Sequence, residues 1–310
     1  MRYNCVHTDS VEQQQQTCKC TRNNRWQNGR LLAWPLANLE TALVEAMGAN
    51  SKERFKQMIL SDPYFGDAVE FVFSAIGNVQ NKIILDNGCG SGMLSVLFAL
   101  EGAEVIGIDK QESAVREAKR LAQSYNIDHK STFINCKSEW MPLADTSIDI
   151  VFSRSTLQYM DYGKVLCEYM RVLKPSGTLA IIENLRYSPL INIYRWYRRI
   201  VAKTPAEVDY VTSIRQYLTV RQIETIASRF ISSDHREYHI LRIVSIWLNA
   251  LFQEATLTQK LDQLLARIDR KLFEVFPLLG NLAWFTAVIC QRKKYGQDIE
   301  QRSKPPRRDD

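Results

Sequence analysis

No stretch of this 310-residue sequence holds the ~20 consecutive apolar residues that a membrane-spanning helix requires. The two most apolar late stretches are interrupted, residues 240–252 by Arg242 and residues 275–290 by Pro277, Gly280 and Asn281. The opening residues contain no apolar segment either. They run through Arg2, Asn4, Asp9, Glu12 and an unbroken glutamine stretch at 13–16, and predict no secretory leader. Cysteine is scarce: seven residues, an odd number, widely scattered. That pattern argues against a disulfide framework and for reduced thiols in a cytoplasmic protein. Cys18-Lys19-Cys20 lacks the two-residue gap of a zinc knuckle and no second pair follows, so no metal site is expected. A large excess of one charge is also missing. Lys and Arg total 40 against 34 for Asp and Glu, a net charge of +6. Such a balance permits an anionic partner without requiring one.

What is present describes a globular α/β protein. Hydrophobic residues make up 45% and charged residues 24%, enough to bury a core. The length suits one large domain with additions, or two domains. Residues 1–30 are polar and aperiodic and read as a disordered or loosely attached arm. Residues 31–80 carry helical spacing through Leu39, Leu43 and Met47, then Phe55, Met58 and Ile59, then Val69, Val72 and Phe73. Asp62-Pro63 divides that extension, since proline suits a first helical turn.

From 81 to 184 short apolar strands alternate with amphipathic helices: strands at 82–86, 104–109, 131–135, 148–153 and 178–183, helices at 93–100, 112–124 and 165–173. This alternation predicts a Rossmann-like, doubly wound, mostly parallel sheet of seven strands with helices on both faces. Residues 185–293 supply the last strands, at 231–241 and 283–290, and helices at 189–201, 219–230 and 257–276. In the 219–230 helix, Arg221, Ile223, Ile226 and Ala227 are expected to face inward. The inserts at 185–218 and 242–280 are expected to lie as a helical lid over the strand ends. Residues 294–310 form a polar tail.

The sharpest local signal is Leu85-Asp86-Asn87-Gly88-Cys89-Gly90-Ser91-Gly92, set between a strand and a helix. Alternate glycines let the backbone turn tightly and approach a ligand. The following helix presents free amides to an anionic group. The spacing Gly-x-Gly-x-Gly departs from the Gly-x-Gly-x-x-Gly of a dinucleotide loop, and the Lys-Ser/Thr of a P-loop is missing. A second apolar run ends in Asp109, seventeen residues after Gly92. An acid at about this distance grips a ribose in dinucleotide folds.

These residues resemble motif I of the class I methyltransferases that use S-adenosylmethionine (SAM). The resemblance covers about residues 80–184 and is most similar to the broad group containing the ubiquinone/menaquinone C-methyltransferases and many small-molecule O- and N-methyltransferases. It extends to 105–109 as second strand, to Glu139-Trp140-Met141-Pro142 with 145–149 as loop and fourth strand, to 157–161 as the turn after it, and to 171–177 as the approach to strand five. The resemblance implies SAM as cofactor. Asp86, Gly88, Cys89, Gly90 and Gly92 would lie beside the methionine part, Asp109 and Lys110 at the ribose, Ser138 and Glu139 at the adenine, and Ser153 beneath. Three departures stand out, the first being Asn87 where an apolar residue is more usual. Lys137 occupies a place often acidic in the family, so that either Glu139 or the Ser138 backbone meets the adenine amine. Gln158 and Tyr159 replace a frequent histidine.

Methyl transfer requires in-line placement of a nucleophile more than a strong base. Candidate bases are Tyr159, Glu183, His235 and His239, with Glu183 best positioned at a strand end. The expected acceptor is a small, largely apolar metabolite, since aromatic residues crowd the inserts (Tyr187, Tyr194, Trp196, Tyr197, Tyr210, Tyr217, Trp247, Phe252). Tyr194-Arg195-Trp196-Tyr197-Arg198-Arg199 interleaves aromatics with cations, which leaves open RNA as acceptor or a peripheral membrane contact. A SAM-binding protein without catalysis is a further alternative. Nothing in the sequence points to an oligomeric state.

Overall fold

The computed structural model describes residues 51–201, 212, 214, 216–252 and 255–292. The expected arm at 1–30, the start of the helical extension and the polar tail at 294–310 lie outside the described residues. Those described belong to one compact unit, Asn50–Asp310.

Two helices precede the sheet, α1 (Ser51–Leu60) and α2 (Gly66–Ile76). Between them the Asp62 carboxylate accepts the amides of Tyr64 and Phe65 at 2.7 and 3.0 Å. Gly77, at φ 70°, then ends α2 in the left-handed region that glycine tolerates.

Seven strands follow: β1 (Ile83–Asn87), β2 (Glu104–Asp109), β3 (Ser131–Asn135), β4 (Ile148–Arg154), β5 (Leu173–Asn184), β6 (Ser232–Tyr238) and β7 (Phe285–Gln291). They are ordered β3-β2-β1-β4-β5-β7-β6. The first five strands are mutually parallel, and β7 runs antiparallel between β5 and β6. The expected seven-stranded, mostly parallel sheet is therefore present. The order reverses between β1 and β4, the place where ligands bind in such sheets.

Helix α3 (Met93–Leu100) follows β1 and α4 (Glu112–Ser124) follows β2. On one face of the sheet Phe73 of α2 stacks on Phe98 of α3 at 4.6 Å, and Phe98 meets Phe152 of β4 edge-on at 5.2 Å. On the other face α5 (Tyr162–Val172) and α7 (Val220–Ala227) bury Val165, Tyr169, Ile223 and Ile226 against Leu85, Val151, Leu179 and Ile181. Such contiguous apolar burial, at ~25 cal/mol per Å², holds the layers together.

Several boundaries differ from expectation. Helix α5 begins three residues early because Asp161 accepts the Gly163 and Lys164 amides as an N-cap. Strand β5 begins at Leu173, and Pro175-Ser176-Gly177 is a bulge within it rather than a turn before it. The register jumps from Ile148↔Leu173 to Ile150↔Thr178, with Ser176 at φ 68°. Arg221 of α7 is exposed, so the buried face is Ile223 and Ile226.

Helix α6 (Pro189–Val201) leaves the carboxyl end of β5. The insert returns to that same end: Leu218 bridges Leu185, and the Gln216 amide donates to the Gln158 carbonyl at 3.2 Å. The second insert begins just past the end of β6, which lies level with the end of β5. Its helices α8 (Arg242–Phe252) and α9 (Ala255–Val275) pack on each other, and α9 lies against β6 at the sheet's edge. The buried Asp269 accepts the amides of Ile240, Leu241 and Arg242 at 2.9–3.0 Å. Arg242 donates to Asp262 at 2.8 and 2.9 Å and to Asp67 of α2 at 2.7 Å. Charge pairing ties these helices to α2, and Trp247 of α8 meets Tyr194 of α6 at 6.5 Å.

Candidate functional site

The loop after β1 is built by glycines with different tasks. The amides of Gly88 and Cys89 both donate to the Ile108 carbonyl, at 2.8 and 3.0 Å, which folds the loop against β2. A Cβ on Gly88 would stand 2.4 Å from the Thr156 side chain, and one on Gly92 2.7 Å from Ala118 of α4. Those two glycines permit close packing. Gly90, at φ 54°, has nothing within 4 Å of its missing Cβ and so borders open space. Its amide donates to Asp109 Oδ2 at 3.1 Å, while Oδ1 takes the Gln111 amide at 2.8 Å. Loop and acid are thereby locked into one rigid edge. Each oxygen of Asp109 retains acceptor capacity beyond those amides.

Asp86 is buried at the end of β1, where Ser95 of α3 donates to it at 2.5 Å. Burial raises its pKa to about 6, opposed by the Ser95 hydrogen bond and the Arg154 charge. The Arg154 guanidinium lies 4.8 Å from the Phe65 ring centroid. Burial lowers its pKa, and the Asp62 and Asp86 carboxylates oppose that shift. Cys89 is half-buried, its thiol pushed up by burial and by the neighbouring Asp86 and Asp109 charges, so it offers no thiolate. Lys110 is exposed and its Nζ lies 5.9 Å from the Tyr159 ring centroid. Ser138 is buried, Lys137 is exposed, and Glu139 accepts the Asp161 amide at 3.2 Å through Oε1.

The geometry thus gathers Asp86, Gly88, Cys89, Gly90, Gly92, Asp109 and Lys110 at the carboxyl ends of β1 and β2, with Tyr159 beside Lys110. Three other expected residues are placed differently. Ser153 is fully buried, level with Asn87 in the sheet and beside Tyr169 of α5. Glu183 is fully buried, its Oε1 accepting the amides of Thr156 and Leu157 at 2.8 and 3.0 Å. Burial pushes its pKa up to about 7 against those two hydrogen bonds. It supports the short helix Leu157–Tyr159 from below and is not a base at the surface of the site. His239 is buried, with Nε2 3.0 Å from the Tyr64 carbonyl and its ring 5.0 Å from that of Phe285. Burial and the Arg242 charge lower its pKa to about 4, so it is a neutral packing residue beyond β7. His235 pairs with Glu237 on the edge strand β6.

Asn87 of the loop motif, with Thr156 and Ser155 just past β4, completes the site. The Asn87 amide donates to Tyr169 Oη at 2.5 Å, beneath the loop. Thr156 Oγ1 donates to the carbonyls of Arg154 and Asn87, at 2.9 and 3.2 Å. Ser155, at φ 53°, turns the chain sharply after β4. A polar pair just beyond an apolar strand was the only sequence signal for that turn.

An acid, an open glycine edge and a second acid, at adjacent strand ends of a 3-2-1-4-5-7-6 sheet, define a Rossmann-like ligand-binding fold of the class I methyltransferase type. The chain belongs to the methyltransferase-domain family, whose model matches residues 78–266. It is 27% identical over 168 residues to a sterol 24-C-methyltransferase of Aspergillus fumigatus, covering 53% of this chain and 44% of that one. It is also 27% identical over 157 residues to a malonyl-[acyl-carrier protein] O-methyltransferase of Hamiltonella defensa, covering 50% and 54%. A ubiquinone biosynthesis O-methyltransferase of Pseudomonas fluorescens is 33% identical over 103 residues, covering 32% and 43%. The chain spans about half the length of these curated relatives. Among solved structures, geranyl diphosphate C-methyltransferase of Streptomyces coelicolor superposes with a TM-score of 0.51 at 14% identity, covering 81% of this chain and 84% of that one. The [4+2]-cyclase SpnF superposes with 0.50 at 16% identity, covering 74% and 81%. These likenesses describe the fold; chemistry depends on the site.

Proposed function

We propose that this protein transfers the methyl group of SAM to a small, largely apolar acceptor. The observation that carries the reading is the Gly90–Asp109 edge, a glycine bordering open space locked to a carboxylate that retains acceptor capacity. That edge fits an adenosine-bearing ligand. Asp109 would accept the ribose hydroxyls, Asp86 would stand near the methionine ammonium, and Ser138 or Glu139 would meet the adenine. SAM supplies an electrophilic methyl on a sulfonium. The chain's own part is to orient the acceptor and exclude water. Tyr159 is the candidate we favour to take a proton, since Glu183 and His239 are buried in supporting roles and His235 sits on the edge strand β6.

The acceptor class is supported by the names of the relatives: a sterol 24-C-methyltransferase, a malonyl-[acyl-carrier protein] O-methyltransferase and a ubiquinone biosynthesis O-methyltransferase. Whether oxygen, nitrogen or carbon receives the methyl is set by the acceptor. A cytoplasmic location goes with this reading. The free thiols of Cys89, Cys136 and Cys290 support it.

The test is mass spectrometry of a metabolite extract incubated with the protein and methyl-labelled SAM, beside calorimetry of the demethylated cofactor. Label should appear in a small apolar metabolite and fall sharply with Asp109→Ala when SAM is below saturation. Label in RNA alone would overturn the acceptor; absence of cofactor binding would overturn the whole reading.

A further inference from the structure

Helix α6 carries apolar side chains on its outer side. Ile193, Trp196, Tyr197 and Ile200 are 59%, 64%, 46% and 60% exposed. Their spacing of three, four and seven residues aligns them in one stripe. The inner side is already occupied: Ile191 is buried, Tyr194 meets Trp247 of α8 at 6.5 Å, and Arg195 lies over Tyr217 at 3.5 Å and donates to the Leu185 carbonyl at 3.0 Å. Packing within the described residues therefore does not account for the outward stripe.

Charge says what fits it. Residues 186–201 include Arg186, Arg195, Arg198 and Arg199 and no acidic residue. Arg199 is exposed next to the stripe. Tryptophan and tyrosine flanked by arginine suit the boundary between headgroups and acyl chains. A second copy of the chain would set these like charges against one another with no acid in the stripe to neutralise them. Single-stranded RNA would use the rings, but two of the four outward residues are aliphatic and offer no stacking surface.

Position supports the same occupant. Helix α6 starts just past the carboxyl end of β5, the edge that bears the glycine loop on β1. The turn before β7 exposes Phe276 and Leu278, at 56% and 84%, and β7 begins opposite Asn184 at that same edge.

We propose that α6 docks on an anionic bilayer surface, with Ile193, Trp196, Tyr197 and Ile200 at the interface and Arg199 among the lipid phosphates. An apolar acceptor would then reach the cleft from the membrane. The docking itself does not depend on the cofactor reading, so each can fail alone.

The test is co-sedimentation of the full chain with vesicles of phosphatidylcholine, alone or with about 30% phosphatidylglycerol. The protein should pellet with the anionic vesicles, and less so at high salt. Trp196→Ser combined with Ile200→Ser should weaken binding at least about tenfold, and Arg199→Gln about fivefold. Both should leave thermal unfolding and calorimetric cofactor binding unchanged, because all three side chains are exposed. Failure of the wild type to pellet with anionic vesicles would overturn the proposal. So would equal binding by the double variant, or a dimer that the double variant splits while no vesicles are bound.

Discussion

Glu183 accepts the backbone amide of Thr156 at 2.8 Å, so a buried carboxylate on β5 holds the turn that follows β4. The same oxygen takes the Leu157 amide and fixes the start of the helix that presents Tyr159. Burial raises the Glu183 pKa to about 7, so the folded chain binds this proton more tightly than the unfolded chain, whose glutamates titrate near ~4.3. Its favourable contribution is complete below the unfolded value and is lost as pH rises through about 7. Asp86, raised to about 6, adds a slope of the same sign. Glu183→Gln keeps an acceptor and removes one titration, so its Tm should fall less than that of the wild type between pH 6 and pH 9. Glu183→Ala strands two buried amides and should cost ~1–3 kcal/mol or more at every pH. Parallel Tm-against-pH curves for wild type and the glutamine variant would refute the assignment.

The glycines of the loop should separate by substitution. Gly90→Ala meets open space and bears only the strain of its positive φ, ~1–2 kcal/mol. It should fold, with weakened cofactor binding because the new methyl borders the open side. Gly92→Ala bears similar strain and also brings a Cβ within 3.0 Å of the Ala118 backbone. It should lower Tm further by forcing α3 and α4 apart. Thermal unfolding and calorimetry on both variants decide this; an equal loss of Tm would contradict it.

The sheet was legible because β1, β2 and β4 are apolar runs each followed by a turn or an acid, and buried parallel strands have that signature. Strand β6 was harder: Ser232-Ser-Asp-His-Arg-Glu-Tyr238 is polar and mostly exposed on an edge, so no alternation marks it. The glycine loop was legible because its spacing is local. The burial of Glu183 and His239 was not legible, for one reason. Their position at strand ends is visible in sequence, but the partners that bury them, Thr156 and Leu157 for one and Tyr64 and Phe285 for the other, are brought in from distant segments. Asp269 was invisible for the same reason, being 27 to 29 residues from the amides it caps.

That distant cap should be testable by itself. Asp269→Ala would strand three amides at the start of α8, and loss of a cap costs ~0.5–2 kcal/mol. Tm should fall while cofactor affinity stays within error, since the contact lies beyond β6. Acidification adds a second signal. His239, depressed to about 4, contributes stability above its ordinary value near 6.5 that is lost as pH falls through about 4. His239→Gln should flatten the acid limb of the stability curve, and an unchanged limb would show that His239 does not titrate there.

Asp109 makes the sharpest claim on the cofactor. Its oxygens hold Gly90 and Gln111 and accept no cation among the described hydrogen bonds. Asp109→Ala should weaken cofactor binding by ~1.5–3 kcal/mol, the range for a hydrogen bond to a charged group. Asp109→Asn keeps an acceptor for one amide and should lie between. Both variants should unfold within a few degrees of the wild type, because the residue is only half-buried. Calorimetry with the demethylated cofactor reads the effect directly, and wild-type affinity in Asp109→Ala would refute the assignment.

Tyr159 is the one expected base that the fold leaves beside the loop, and its role divides into two readings with different kinetics. The ring lies near Lys110 Nζ, 5.9 Å from the centroid, on a short helix capped by Glu183. If its hydroxyl takes a proton from the acceptor, Tyr159→Phe removes the proton path and keeps the ring. Then kcat should fall by ~10²–10⁴, the usual worth of general base catalysis, with cofactor affinity unchanged and the pH dependence of kcat altered. If the ring only shapes the cleft, Tyr159→Phe should leave kcat nearly intact, while Tyr159→Ala should raise KM by loss of apolar contact. The supported path of Thr156, Leu157 and Glu183 favours proton transfer, since a base must be held within hydrogen-bond reach of its target and this turn is fixed from below by a buried carboxylate. A Tyr159→Phe variant with wild-type kcat across the pH range would remove Tyr159 from the chemistry and leave catalysis to orientation alone.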